Sequence, residues 1–172
     1  MSEIFVISDH HFGHAATFEK FKLPDGSPLR KFTSAEEMNE HMIAAHNSVV
    51  KPGDKVYFLG DVTMKKSHLP IVGRLNGKKK LILGNHDIFG AELYLKYFYD
   101  VCAYRILPAD KLILSHIPVH STQLDRWKGN VHGHLHADSL SDSRYLCVCV
   151  EQPEINYVPM PLYRVKEILN NA

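Results

Sequence analysis

Cysteine is scarce: three residues in 172, namely Cys102, Cys147 and Cys149, at irregular spacing. That is too few for a disulfide framework, and CxC alone is a weak metal signal. The pair at 147 and 149 reads instead as two buried thiols on one face of a strand. Long apolar runs are missing too. No window approaches the roughly 18 apolar residues of a membrane span, and the first residues show no charged segment leading into an apolar stretch. A reducing, cytoplasmic setting with no membrane partner is the expectation. Neither sign of charge is in excess, the formal net charge being +1, so bulk electrostatics demand neither nucleic acid nor an acidic surface. The run Lys78-Lys79-Lys80 is a local exception and reads as solvation of a turn before a strand. Repeats, low-complexity tracts and linkers are absent. Residues 1–172 therefore read as one domain, large enough to hold a core without a structural metal.

Histidine is what the chain has in excess, twelve in all, unevenly placed. Their setting follows from the alternation of short β-rich runs with helical patterns. Ile4–Ser8 reads as a strand. Ser34-Ala35-Glu36-Glu37 is a capping box, after which Met38, Met42, Ile43 and Ala45 recur at helical spacing. Pro52-Gly53-Asp54 is a turn before the strand Lys55–Leu59. Residues 67–75 read as a short helix, Lys80–Leu83 as a strand and Ala91–Tyr99 as a helix. Val101–Leu107, Lys111–Ser115, Asn130–Gly133, Arg144–Val150 and Ile155–Val158 read as further strands. Pro161 suits the first turn of a last helix carrying Leu162, Val165, Ile168 and Leu169. The order βαβαβα, then mostly β, then α, predicts an α/β (α+β) domain. A single sheet is possible, but the many late strands favour two sheets packed face to face.

The strand ends carry the chemistry. Ile4–Ser8 runs into Asp9-His10-His11, and Lys55–Leu59 into Gly60-Asp61. Lys80–Leu83 runs into Gly84-Asn85-His86-Asp87, and Lys111–Leu114 into Ser115-His116. The segment at 130 ends in His132-Gly133-His134-Leu135-His136. An isolated Gly-Asp is ordinarily a turn, but five strands each delivering an oxygen or imidazole donor at one edge imply a common ligand. In the last segment, alternate residues are predicted to place three imidazoles on one side. Carboxylate, amide oxygen and imidazole without thiolate suit Mn²⁺, with Fe or Zn²⁺ as alternatives, and argue against a purely Ca²⁺ or Mg²⁺ site. The donors outnumber what one metal with an open position needs. Two divalent metals are implied, with Asp61 as the candidate bridge and phosphate ester hydrolysis as the leading chemistry.

The ordered blocks Asp9/His11, Gly60-Asp61, Gly84-Asn85-His86-Asp87, His116 and Gly133-His134-Leu135-His136 resemble the calcineurin-like metallophosphoesterase superfamily, whose blocks are DxH, GD, GNH(D/E), H and GHxH. Within it, Ser8–His14, Arg30-Lys31-Phe32, Glu36–Glu40 and Leu75–Asp87 are similar to the small bacterial and phage-type phosphoesterases. The resemblance implies a two-sheet β-sandwich flanked by helices in an αββα arrangement. It implies one metal on Asp9, His11, Asp61 and His136, and another on Asp61, Asn85, His116 and His134. It further implies in-line attack of hydroxide on phosphorus, with Asn85 and His86 catalytic and His86 stabilising the transition state or protonating the leaving oxygen. A non-catalytic protein-interaction scaffold on the same fold is the alternative, to be set against donor positions that are all intact.

One position departs from the pattern. Many relatives carry GDxxDR, whose second aspartate orients the GNH histidine; here Met64 occupies that place, so His86 needs another partner. Around the donors, His14, His10 and Arg30 are candidate substrate residues, Arg30 because a guanidinium fork matches phosphate oxygens. His132 is a candidate support for a neighbouring ligand, His120 and Arg126 are candidate rim residues, and Trp127 is a base-stacking or packing candidate. His41, His46 and His68 read as surface or boundary residues. The expected substrate is a small phosphate ester, with a nucleotide, cyclic phosphate or nucleic-acid end all open, shaped by loops 22–33 and 117–129.

Overall fold

The computed structural model describes residues 2–171. The first sheet has at its centre β1 (Ile4–Ile7) and β2 (Lys55–Phe58), apolar runs buried on both faces as parallel strands require, flanked by the partly buried β3 (Lys78–Ile82) and β4 (Asp100–Cys102). The second comprises β5 (Tyr104–Leu107), β6 (Leu112–Ser115), β7 (Gly129–His132) and β8 (Tyr145–Cys147). A two-residue strand, β9 (Met160–Pro161), closes the first sheet in the order β4-β3-β2-β1-β9, antiparallel to β1. As an edge strand it tolerates the missing proline N–H. The second sheet runs β5-β6-β7-β8, parallel except for β5 against β6. Val6, Ile7, Phe58 and Leu81 of one sheet and Leu112, Leu114 and Val131 of the other belong to one buried cluster. The molecule is a mixed α/β fold of two sheets on a common core, flanked by helices.

Among the described residues, four α-helices accompany them: α1 (Ala16–Glu19), α2 (Ala35–Val49), α3 (Ala91–Tyr94) and α4 (Leu162–Asn170). The predicted α2 face is buried at Met38, Met42 and Ile43, and the Ser34 side chain accepts from the Glu37 N–H at 3.0 Å. The reciprocal half of the capping box is displaced by one residue, because the Glu37 carboxylate accepts from the N–H and hydroxyl of Thr33. No helix among the described residues is long and apolar enough to cross a membrane.

Tertiary pairing overrides several local expectations. The predicted strand 101–107 is two strands: the chain bends at Ala103 and passes from one sheet to the other. The predicted helix 91–99 stops at Tyr94, and the Tyr99 N–H is taken by the Lys79 carbonyl at 2.8 Å, which leads the chain into β4. Residues 155–158 are turns, since Asn156 and Tyr157 have φ of 42° and 66°, outside the strand region. Strand 144–150 is shortened to β8, beyond which Cys149 bridges to Ser8. The helix near 67–75 is a 3₁₀ helix over Lys66–Arg74 containing Pro70. Pro161 is the N-cap of α4 rather than its first helical residue. The three lysines lie in β3 itself, where Lys79 Nζ donates to the Leu75 carbonyl. His46 is fully buried, contrary to a surface placement: its ring stacks on Phe58 and Nε2 lies 3.0 Å from the Asn76 carbonyl.

Candidate metal centre

The carboxyl ends of β1, β2, β3, β6 and β7 open on one space. Five residues that follow these strands have left-handed backbones: Asp9 (φ 60°), His11 (47°), Asp61 (53°), His134 (70°) and His136 (52°). Non-glycine residues rarely adopt this region, and such strain gathers at functional sites. It turns the chain immediately after each strand and packs the donors together. Gly60 (φ 95°) makes room for this: a Cβ there would fall 2.5 Å from His116 Nδ1 and 2.7 Å from Gly84 Cα.

Asp9 is fully buried, and its two oxygens differ. Oδ2 accepts from Ser8 Oγ (2.5 Å), the His134 N–H (2.9 Å) and Cys149 Sγ (3.1 Å). Oδ1 has no hydrogen-bond partner and lies 3.7 Å from His11 Nε2 and 3.9 Å from His136 Nε2. Burial opposes its charge, yet the His11, His116 and His136 imidazoles hold the carboxyl well below the usual carboxylate range. Asp61 Oδ1 accepts from the His86 N–H at 2.9 Å. Its Oδ2 lies 3.5 Å from both His11 Nε2 and His116 Nε2.

The tautomers follow from the far sides of the rings. His116 Nδ1 is 2.7 Å from the Leu59 carbonyl, which can only accept, so Nδ1 carries the proton and Nε2 presents a lone pair. That lone pair faces Asp61 Oδ2 and, at 2.9 Å, Asn85 Oδ1, and His134 Nδ1 is also 2.9 Å from Asn85 Oδ1. His136 Nδ1 is 3.0 Å from Glu151 Oε1 and donates to it, leaving Nε2 toward Asp9. Unshared acceptors converge in two places, a costly arrangement in a buried site unless a cation sits among them. Asp9, His11 and His136 form one group of possible ligands and Asp9, Asp61 and His116 another, the donor atoms of each lying within 4.8 Å of one another. Asn85 and His134 adjoin the second group. The orphaned Oδ1 of Asp9 and Nε2 of His11, and the oxygen and imidazole donor set, are of the kind that could hold a metal ion.

The remaining candidates divide. His86 is partly exposed at the rim, its Nε2 4.0 Å from Asp61 Oδ2. Asp87 does not orient it: that carboxylate turns inward and accepts from the backbone N–H groups of Asp61, Val62 and Gly84, bracing the β2 and β3 loops together. Burial pushes its carboxyl up to about 6. His14 sits beside His11, ring centroids 5.6 Å apart, with Nδ1 unpartnered. Burial and then neighbouring cationic groups pull its imidazole down to about 4.

Arg30 and His10 are not substrate residues. Arg30 is among the largest fully buried side chains. Its NH1 donates to the His10 carbonyl (2.7 Å), NH2 to the Asp9 carbonyl (2.6 Å), and Nε to Glu151 Oε1 (2.8 Å). Every donor it could offer a phosphate already faces the protein interior. His10 is buried between Phe12 and Phe58, both 5.0 Å away, because its position in the turn after β1 points it into the core. Burial holds it neutral. His132 is buried on β7 and its Nδ1 contacts the Gly133 carbonyl; the chain turns after it, so His134 and His136 do not continue its strand face.

Three residues of the site were not anticipated: Ser8, Cys149 and Glu151. Glu151 follows an apolar run just as the other donors do, and that signal was available. The Arg30–Glu151 pair joins loop 21–33 to the end of the second sheet and so to His136. Burial raises the Glu151 carboxyl, but Arg30 and His136 more than offset this and hold it low.

The fold and site define a class: an α/β protein of two sheets with a carboxylate–imidazole cluster at its strand ends. No family model matches the chain. The uncharacterized protein MJ1445 of Methanocaldococcus jannaschii is 32% identical over 181 aligned positions, covering 100% of this chain and 94% of that protein, and the chain belongs to its family. The Gene 66 protein of Mycobacterium phage L5 is 35% identical over 92 residues, 51% of this chain and 41% of its own length. Among solved structures, the protein of unknown function AQ665 from Aquifex aeolicus superposes with a TM-score of 0.73 at 25% identity, covering 98% of this chain and 100% of that one. A novel archaeal phosphodiesterase gives 0.49 at 16% identity over 84% of this chain and 82% of its own.

Proposed function

We propose that the protein is a dinuclear metal-dependent phosphoesterase of the calcineurin-like superfamily, its two sheets forming that superfamily's αββα sandwich. Asp9, His11, Asp61 and His136 would hold one divalent cation and Asp61, Asn85, His116 and His134 the other, with Mn²⁺ as the first choice and Fe or Zn²⁺ as alternatives. The observation that carries this reading is Asp61 Oδ2, equidistant at 3.5 Å from the Nε2 atoms of His11 and His116. When bound, two divalent cations supply Lewis acidity toward phosphoryl oxygens and acidify water near neutral pH.

The chain's own residues do the rest. Asp61 places negative charge between the two donor groups and tethers the His86 backbone through Oδ1. His86 presents its imidazole at the solvent rim, where it protonates the departing ester oxygen as water oxygen bonds to phosphorus and the P–O ester bond breaks. His14 borders the same opening as a substrate contact. The free thiols of Cys102, Cys147 and Cys149 suit a reducing, cytoplasmic compartment. The substrate is a small phosphomonoester or phosphodiester.

Metal analysis of the purified protein, with Mn²⁺-dependent hydrolysis of nitrophenyl phosphates by wild type and Asp61→Asn, tests the reading. Bound transition metal and hydrolysis that Asp61→Asn abolishes are expected. A protein that binds no metal and hydrolyses no phosphate ester overturns it and leaves the scaffold reading.

A further inference from the structure

Two cavities adjoin the donor cluster, one beside each donor group. The larger, about 550 Å³, lies between the 21–29 hairpin and the segment that carries His134 and His136. The other, about 410 Å³, lies between the β3–α3 turn and the β5/β6 end, and it is lined by Asn85, His116, Tyr104 and Ile117. Their linings touch between them, where His134 Nδ1 of the first is 2.9 Å from Asn85 Oδ1 of the second.

Both walls are ordered and present apolar surface. The Leu29 N–H donates to the Phe21 carbonyl and the Leu23 N–H to the Ser27 carbonyl, each at 2.8 Å, so residues 21–29 form a closed hairpin. Phe21 on it is 46% exposed. Tyr104 opens β5 in register with Ser115 and is 60% exposed, and Ile117 is 53% exposed. Large exposed side chains on ordered walls beside a polar centre are the usual lining of a ligand pocket.

Charge narrows the occupant. The first cavity has one cation, Lys22, and one anion, Asp138, among its lining residues, and the second has no lysine, arginine, aspartate or glutamate. Tracking a polyphosphate or nucleic-acid backbone needs a row of cations, and neither cavity offers one. A phosphomonoester has a single arm and leaves one cavity without an occupant. From these features we infer that the substrate is a phosphodiester whose two ester groups are uncharged and carry apolar or aromatic surface, one in each cavity. Water adds to phosphorus, one ester P–O bond breaks, and the products are a phosphomonoester and an alcohol or phenol that has taken up the proton. The inference rests on the phosphoesterase reading above.

With Mn²⁺, kcat/KM for bis(p-nitrophenyl) phosphate is expected to exceed that for p-nitrophenyl phosphate by about tenfold or more. Phe21→Ala and Tyr104→Ala should each lower that ratio by about threefold to tenfold, the range of one aromatic contact. Calorimetric binding of diphenyl phosphate should weaken by a similar factor in both variants. Tyr163→Ala, an exposed aromatic on α4 outside both cavities, should change neither quantity. Preference for the monoester, faster hydrolysis of a single-stranded oligonucleotide than of the aryl diester, or a ratio unmoved by both variants overturns this inference and leaves the phosphoesterase reading standing. Hydrolysis of no phosphate ester by wild type overturns both.

Discussion

The Nε2 atoms of His11 and His116 reach the same oxygen, Oδ2 of Asp61, each at 3.5 Å. One histidine follows β1 and the other follows β6, so a single carboxylate links donors from the two sheets. Asp61→Asn keeps the shape and the tether to the His86 N–H but removes the charge. Metal stoichiometry by plasma mass spectrometry is expected to fall from two per chain to one or fewer. Phosphoesterase kcat should fall at least on the order of 100-fold, as removal of an outer partner alone can cost up to that. Two metals retained with unaltered turnover would refute the bridging role.

The Arg30–Glu151 pair is buried on both sides, 2.7 Å from NH2 to Oε1. Losing one partner strands the other in the interior, at a cost of about 3–5 kcal/mol, whereas an apolar replacement of both costs less. Arg30→Met is therefore expected to lower urea stability by several kcal/mol, and Arg30→Met with Glu151→Leu to recover part of it. Additive losses in that cycle would show that the two side chains do not act as a unit.

His46 supplies a pH dependence remote from the cluster. Burial, and then Lys79, bring its imidazole down from 6.5 to about 4. Between these values the unfolded chain binds a proton that the folded chain refuses. The stability from neutral His46 is thus full above pH 6.5 and lost as pH falls toward 4, by up to about 3 kcal/mol. His46→Gln keeps a donor for the Asn76 carbonyl. It should reduce the stability difference between pH 7 and pH 4.5 by on the order of 2 kcal/mol, measured by denaturation at both pH values. An unchanged difference would place the acid sensitivity elsewhere.

Gly60→Ala puts a methyl group where φ is 95° and where Gly84 and His116 already stand. Strain and displacement together should cost roughly 2 kcal/mol or more, with metal affinity falling as the β2 loop shifts. Calorimetric unfolding and metal titration check both, and a stable variant with wild-type affinity would show the loop can relax.

The donors were legible because each follows an apolar strand run, a local signal that survives in one dimension. Arg30 was not. A guanidinium in a Pro- and Gly-containing loop reads as solvent-facing or phosphate-facing, and only its packing against the Asp9 and His10 carbonyls shows it spent on the interior. His10 misleads for the same reason, since flanking donors disguise a ring that lies between two phenylalanines. Residues 101–107 carry one continuous β-rich pattern, and the exchange of sheets at Ala103 depends on partners that are distant in the chain.

By itself the sequence determined the α/β class, the strands β1, β2 and β3, and the places of the seven candidate carboxylate, amide and imidazole donors after apolar runs, because apolar periodicity and terminal polar residues are local properties. The tertiary structure decided which ring nitrogen His116 and His136 offer. It did so through the Leu59 carbonyl for His116 and the Glu151 carboxylate for His136, contacts made across 57 and 15 residues. It also decided which polar residues face the opening and which are buried behind it, because that depends on how the two sheets meet.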